Sequence, residues 1–353
     1  MASFSNPSFN AQSYSSNRPG YPPQLYTYIE SLNHPTTTSR TCVDLGCGPG
    51  LSSFPWLEFG FDKVVGVEPS QVMVEVARGL LEEKEEPGEI EKGRMSFEMS
   101  SAEELGFIEN ETIDLVVAFT AAHWFDPPKV YSEISRILKP SGSFYFFGYF
   151  LPSLPSLPRA EKILQELNGQ TLRDYWSEPG HTIASNLLST FPLPLKGNFE
   201  ARIEEEELTR VLDSFDEESS RRFFFLVPSN SADATEEDDI KLLPAEKGKN
   251  VKIDRHYYSN DSTSSPFSTN FDPSSIFLRR TWDLSQLSRL VSTWSGVLDW
   301  NQRNEGRDLL REFEQRMIEE GGWGEEGREK VELVWSLGGM GGRKEGGPCE
   351  IVT

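Results

Sequence analysis

The stretch Thr41-Cys42-Val43-Asp44-Leu45-Gly46-Cys47-Gly48-Pro49-Gly50 decides how this 353-residue chain is read. Its first five residues form a short apolar run of strand character. The glycines behind it let the backbone turn tightly and approach a ligand closely. They stand at alternate positions, Gly46, Gly48 and Gly50, not in the G-x-G-x-x-G order of a nicotinamide or flavin site. Asp44 precedes the first glycine by two residues. A carboxylate there opposes an anionic pyrophosphate and suits a ligand with a cationic end.

Working outward, strands and helices alternate. Val64–Val67 reads as a second strand ending in Glu68-Pro69-Ser70, and Ser70 is placed to cap a helix through Val72, Met73, Val76, Ala77, Leu80 and Leu81. Met95–Met99, Ile113–Phe119 and Ser143–Phe150 read as the third, fourth and fifth strands. Asp126-Pro127 opens a helix that Lys139-Pro140-Ser141-Gly142 stops. This alternation predicts an α/β fold: a Rossmann-like, doubly wound, mostly parallel seven-stranded sheet with an α-helical cap and a disordered acidic insert. The predicted organisation is a flexible arm or lid over 1–20, a ligand-binding Rossmann-like domain over 21–150, and a helical cap with an acidic segment over 151–228. A disordered insert follows over 229–275, then strands and helices over 276–337 that complete sheet and cap, and a flexible glycine-rich tail over 338–353. Within the last ordered part, Asp283 and Gln286 form a capping box.

Charge and composition narrow the function. The net charge is −22, a field that repels phosphate backbones, and no basic run offsets it, so no nucleic-acid partner is expected. Thirteen acidic against four basic residues lie between 201 and 240, and a solvated surface accounts for them. No stretch of about 18 apolar residues exists, so no membrane partner is expected. Three cysteines (Cys42, Cys47, Cys349) fit a reducing, cytoplasmic setting, and the four histidines (His34, His123, His181, His256) show no metal-ligand spacing. No metal is expected, and the chain is read as a monomer or weak dimer acting on a small molecule.

Glu68 follows Gly50 by 18 residues and ends the second strand, where an acid accepts both ribose hydroxyls of a nucleoside ligand. Ser101-Ala102-Glu103-Glu104-Leu105 follows the third strand, beside an adenine ring. Together with Val43–Gly50, Val67–Ser70, Ile113-Asp114-Leu115-Val116 and Ile137–Gly142, these motifs resemble class I S-adenosylmethionine-dependent methyltransferases with a methyltransferase type 11 domain. Tyr14 to Pro22, Ala121-Ala122-His123-Trp124-Phe125-Asp126 and Thr293-Trp294-Ser295 resemble the small-molecule branch that includes fungal trans-aconitate methyltransferases. The resemblance implies S-adenosylmethionine as cofactor, S-adenosylhomocysteine as product, and methyl esters of small carboxylic acids as outcome. It implies cofactor contacts at Asp44, Gly46, Gly48, Glu68, Ala102 and Glu103; Gly50 and Phe119 complete the expected set.

Methyl transfer from a sulfonium is an in-line displacement, for which a protein mainly supplies orientation and dehydration. A carboxylate acceptor is already ionised at pH 7 and needs no base, whereas a phenol or alcohol does. His123 is the candidate catalytic residue, as base or as donor to a carboxylate. Arg18 suits a carboxylate through its planar guanidinium, with Tyr14 and Tyr21 in the same lid. Trp124, Tyr175, Trp176 and Trp294 are candidates for the substrate wall. Two other readings stand beside transfer to a carboxylic acid: an O- or C-methyltransferase of a secondary metabolite with His123 as base, and a non-catalytic cofactor-binding interaction protein. A nicotinamide dehydrogenase is disfavoured by Asp44 and the glycine spacing.

Overall fold

The computed structural model describes residue 4 and residues 9–33, 39–195, 205–227, 246, 251–257 and 276–346. The first half follows the alternation of its apolar runs. Strands β1 (Thr41–Leu45), β2 (Lys63–Glu68), β3 (Met95–Met99), β4 (Ile113–Phe119) and β5 (Leu138–Ser153) pair in parallel in the order β3-β2-β1-β4-β5. All seven residues of β4 are buried, as a strand covered on both faces requires. Helices α3 (Gln71–Glu85) and α4 (Pro127–Ile137) pack on opposite faces, with Val74 and Ala77 in one core and Val130, Ile134 and Ile137 in the other. Ser70 does not cap α3; its hydroxyl donates to the Phe4 carbonyl instead, at 2.7 Å.

Beyond β5 the sheet continues differently from the sequence pattern. Strand β9 (Val331–Lys344) runs antiparallel to β5, and its other side takes β6 (Phe215–Leu226) and β8 (Leu278–Trp282), both antiparallel. Strand β7 (Lys252–Tyr257) then pairs in parallel with β6. The sheet thus has nine strands among the described residues, not seven. Residues 338–344, expected in a flexible tail, lie in its interior. Their glycines make room for rings: a Cβ on Gly339 would stand 2.5 Å from Phe147, and one on Gly341 2.1 Å from Tyr145. What reads as a loop composition is a strand crossed by aromatic side chains of β5.

Two other expectations change. The segment expected as a loose arm carries helix α1 (Ala11–Asn17), capped by the Asn10 side chain, and leads into α2 (Pro23–Leu32). The expected insert contributes Val251, β7 and Glu246, and Glu246 is fully buried against Arg222 of β6; the rest of 229–275 lies outside the described residues. The helices that follow β5 are α5 (Pro158–Glu166), α6 (Gly180–Ser185), α7 (Glu205–Asp213), α8 (Leu284–Ser292), α9 (Ser295–Arg303) and α10 (Leu309–Glu319); α7 packs against α4 and β6, and the others form the cap. The Asp283 capping box forms, with the Gln286 N–H on Asp283 Oδ1 at 3.0 Å and the Asp283 N–H on Gln286 Oε1 at 3.1 Å. Trp294 is not on a helix face: it caps α9 at the break after α8.

Candidate active site

The carboxyl ends of β1, β2, β4 and β5 and the N-terminal segment enclose a cavity of about 150 Å³. The loop after β1 forms its floor. The Gly46 and Cys47 N–H groups both donate to the Val67 carbonyl, at 2.8 and 3.1 Å, which folds the loop against β2. Gly46 has φ +66°, and a Cβ there would stand 2.5 Å from that of Ala121, so only glycine fits both the turn and the contact. Gly46, Gly48, Glu68, Ala102, Glu103 and Phe119 all line the cavity.

Asp44 and Gly50 do not line it. Gly50 packs on Phe97, where a Cβ would stand 2.7 Å from the ring. Asp44 is fully buried behind the loop, its Oδ2 accepting from the Ser52 and Ser53 hydroxyls at 2.7 Å each. Its Oδ1 is buried with no partner among the described residues. Burial raises the carboxyl from 3.8 to about 6, against the two hydroxyls that favour the anion. Glu68 is 7% exposed and ties two segments together: Oε1 accepts from the Ser70 N–H at 2.9 Å and Oε2 from the Gly48 N–H at 3.0 Å. Burial raises its carboxyl too, and the two N–H groups oppose the rise.

The N-terminal segment is the roof. Arg18, Tyr14 and Tyr21 line the cavity with Phe4, which packs edge-on against Tyr14 and Trp124. Tyr21 and Thr120 share a hydrogen bond at 2.5 Å. Thr120 holds φ +52°, an unusual conformation for a β-branched residue and one found where a loop is held for function. Arg18 donates to the Thr293 carbonyl at 3.3 Å and sits over the Tyr14 ring, while its Nε is buried without a partner among the described residues. Cys47 lines the floor, but burial raises its thiol well above the ordinary value, away from a reactive thiolate.

A second cavity of about 90 Å³ adjoins the first and shares Phe4, Tyr14, Arg18, Thr120, Trp124 and Tyr149 with it. His123, Trp176 and Trp294 line only this one. Burial is the main cause that holds His123 down to about 3, so it is neutral and a weak base at neutral pH. Tyr175 is not brought into either cavity. Its hydroxyl accepts from Asn304 at 3.0 Å and its ring lies beneath Arg303. Thr120, just past the end of β4, and Tyr149, within β5, carry no motif of their own, although the carboxyl ends of strands are where such sheets bind ligands. Asn168 and His181, which also line the second cavity, carry no sequence signal that places them there.

Residues 43–146 match the family model described as a methyltransferase domain. Residues 43–146 thus carry a methyltransferase domain. The chain is 31% identical over 158 residues to the probable S-adenosylmethionine-dependent methyltransferase CRG1 of Saccharomyces cerevisiae, covering 45% of this chain and 52% of that protein. It is 30% identical over 168 residues to a provisionally assigned Dictyostelium discoideum methyltransferase, covering 47% and 58%. The matches thus span about half the length of these curated relatives. A solved structure from Anaeromyxobacter dehalogenans, provisionally assigned as a type II methyltransferase, superposes with a TM-score of 0.57 at 18% identity, over 94% of this chain and 99% of that one. That likeness speaks to the fold.

The residues of the first cavity fit such a cofactor: a buried acid at the end of β2 would accept from a ribose, and a second acid, with an orphan oxygen, lies behind the glycine loop. Among the described residues no group of three or more acids, histidines or cysteines could hold a metal, and no helix is long and apolar enough to cross a membrane. Asp44 gives a measurable signature. Its carboxyl stands above its unfolded value, so the folded protein holds the extra proton, and this stabilisation is complete below 3.8 and lost as the pH rises through about 6. A cation bound next to it favours the anion, so cofactor binding near that pH should release protons. Titration calorimetry of S-adenosylhomocysteine in buffers of different ionisation enthalpy should show the release in the native protein and not in Asp44→Asn. An equal release in both would assign it to another group.

Proposed function

We propose that this chain transfers the methyl group of S-adenosylmethionine to a carboxylate oxygen of a small molecule. The observation that carries this reading is Arg18, which lines both cavities with a buried, unpartnered Nε. A guanidinium at the junction gives a carboxylate oxygen a charge-assisted hydrogen bond. When bound, the cofactor supplies a methyl group on a sulfonium, a leaving group that needs no protein acid.

The protein's share is orientation and dryness. Arg18 would hold one carboxylate oxygen and leave the other free, while Phe4, Tyr14 and Trp124 exclude water from the junction. A carboxylate carries no proton to remove. That agrees with a His123 too weakly basic to deprotonate a phenol or alcohol, the role the secondary-metabolite reading assigns to it. The separation of the two cavities, one for the cofactor and one walled by Trp176 and Trp294, supports catalysis over a purely cofactor-binding role.

The test is Arg18→Met. A charge-assisted hydrogen-bonded pair contributes about 1.5–3 kcal/mol, so kcat/KM for an accepted acid should fall by roughly 10–100-fold. S-adenosylhomocysteine should still bind the variant. Unchanged kcat/KM would remove the carboxylate clamp.

A further inference from the structure

The second cavity says more about the acceptor than its carboxylate. Among its described lining residues Arg18 is the one cation, and there is no carboxylate. Neither histidine adds a charge at neutral pH: burial is the main cause lowering both His123 and His181. A second or third carboxylate of a substrate would therefore meet no counter-charge, and an uncompensated buried ion costs several kcal/mol.

What the cavity offers instead is flat apolar surface. Trp176, Trp294 and Phe150 face it from the cap and β5, with Trp124 and Tyr149 at the junction. Trp176 is fixed on three sides. It stacks on His181 at 4.9 Å and 13°, donates its Nε1–H to the Asn168 carbonyl at 3.0 Å, and lies on the backbone at Gly296, where a Cβ would stand 3.0 Å from the ring. A rigid indole held this way gives the cavity a fixed apolar wall at little entropic cost.

Two residues of this lining carry buried polar atoms. Asn168 is 8% exposed with a buried Oδ1 that has no partner among the described residues, and His181 Nε2 is buried and unpartnered likewise. Both residues line the second cavity and not the first, so they lie away from the junction. A buried polar atom left without a partner is costly, and a ligand group that reached it would recover that cost.

From these features, and resting on the carboxylate reading above, we infer that the acceptor is a monocarboxylic acid with a flat, unsaturated body and a hydrogen-bonding substituent at the end remote from the carboxylate. The carboxylate meets Arg18 at the junction, the ring lies among Trp176, Trp294 and Phe150, and the distal group meets Asn168 and His181. A tricarboxylate such as trans-aconitate, which the sequence resemblance suggests, places two charges against the aromatic wall.

The experiment is calorimetric titration of the full chain, loaded with S-adenosylhomocysteine, with 4-hydroxycinnamate, cinnamate and trans-aconitate. Product analysis with S-adenosylmethionine accompanies it. 4-Hydroxycinnamate should bind about fivefold tighter than cinnamate, the worth of one hydrogen bond, and roughly 100-fold tighter than trans-aconitate. Asn168→Leu should shrink the preference over cinnamate while S-adenosylhomocysteine still binds. The product should be a methyl ester. Trans-aconitate binding as tightly as 4-hydroxycinnamate, with a methyl ester formed, overturns this inference and keeps the carboxylate reading. A methyl ether at the phenol overturns the carboxylate reading, and this inference with it. Absence of binding by all three acids to the loaded protein overturns the inference.

Discussion

Replacing Glu246 with alanine should destabilise the folded protein by about 3–5 kcal/mol, a larger loss than any surface change in this acidic chain should give. Glu246 and Arg222 are each 0% exposed in their side chains and face one another across 2.6 Å. The pair is bidentate: Arg222 Nε donates to Oε2 at 2.7 Å and Nη2 to Oε1. Two further guanidinium hydrogens reach the Leu188 and Phe191 carbonyls at 2.9 and 2.7 Å, so β6, Glu246 and the segment after α6 meet at one buried cation. With the carboxylate gone, the guanidinium stays buried with two neutral acceptors and no counter-charge. The fold then loses the pair and retains the cost of desolvating the ion.

Urea unfolding followed by tryptophan fluorescence measures this directly, provided the slope with denaturant is unchanged. Arg222→Met with Glu246→Leu should recover part of the loss. The charges leave together, yet the Leu188 and Phe191 carbonyls still lose their donor. A loss under about 1 kcal/mol for Glu246→Ala would mean that water reaches the pair.

The same pair shows where the sequence stops being legible. Arg221-Arg222 amid acidic residues reads as a solvated stretch, because a buried cation and a surface cation look alike until the partner is seen. The partner, Glu246, lies 24 residues further on, in a segment whose composition argues for disorder. By contrast β1 to β4 are close to their sequence boundaries, since short apolar runs flanked by turn residues have few alternatives inside a doubly wound sheet. The part of β9 beyond Leu337 fails for a third reason. Glycine lowers strand propensity, and only knowledge of the Phe147 and Tyr145 rings across it makes Gly339 and Gly341 intelligible.

At the site, the division is similar. The glycine loop and Glu68 are local motifs, and they line the first cavity together with Phe119. The second cavity depends on how α6, the break between α8 and α9, and the N-terminal segment come together. Trp176 and Trp294 are 118 positions apart in sequence. Composition suggests aromatic candidates there but not which of them turn inward, so Tyr175 and Trp176, adjacent in the chain, have opposite fates. Asp44 was read by its position, and the two serine hydroxyls that occupy its outer oxygen were not foreseeable from spacing.

Replacing Glu68 with alanine should reduce affinity for S-adenosylhomocysteine by roughly two to four powers of ten, from two ribose hydrogen bonds to a charged acceptor at about 1.5–3 kcal/mol each. The side chain also shapes the floor of the cavity. Each oxygen accepts one backbone N–H, from Ser70 and from Gly48, and each keeps a further lone pair for a hydroxyl. On the reading that Glu68 accepts from the ribose, alanine removes that acceptor and also unties the glycine loop from the end of β2. Glutamine does not rescue the second effect, because its amide N–H₂ would face one of the two backbone N–H groups. Aspartate keeps the charge but cannot span both segments from a shorter side chain. Both should bind weakly, which separates a need for two anionic oxygens at this reach from a need for charge alone. The pH dependence follows in sign. Burial holds the Glu68 carboxyl above its ordinary value, so as the pH falls through that raised value the proton occupies an acceptor site and affinity should drop. Calorimetric titration of the native protein and the three variants measures all of this. Near-native affinity in Glu68→Ala would place the ribose elsewhere in the cavity.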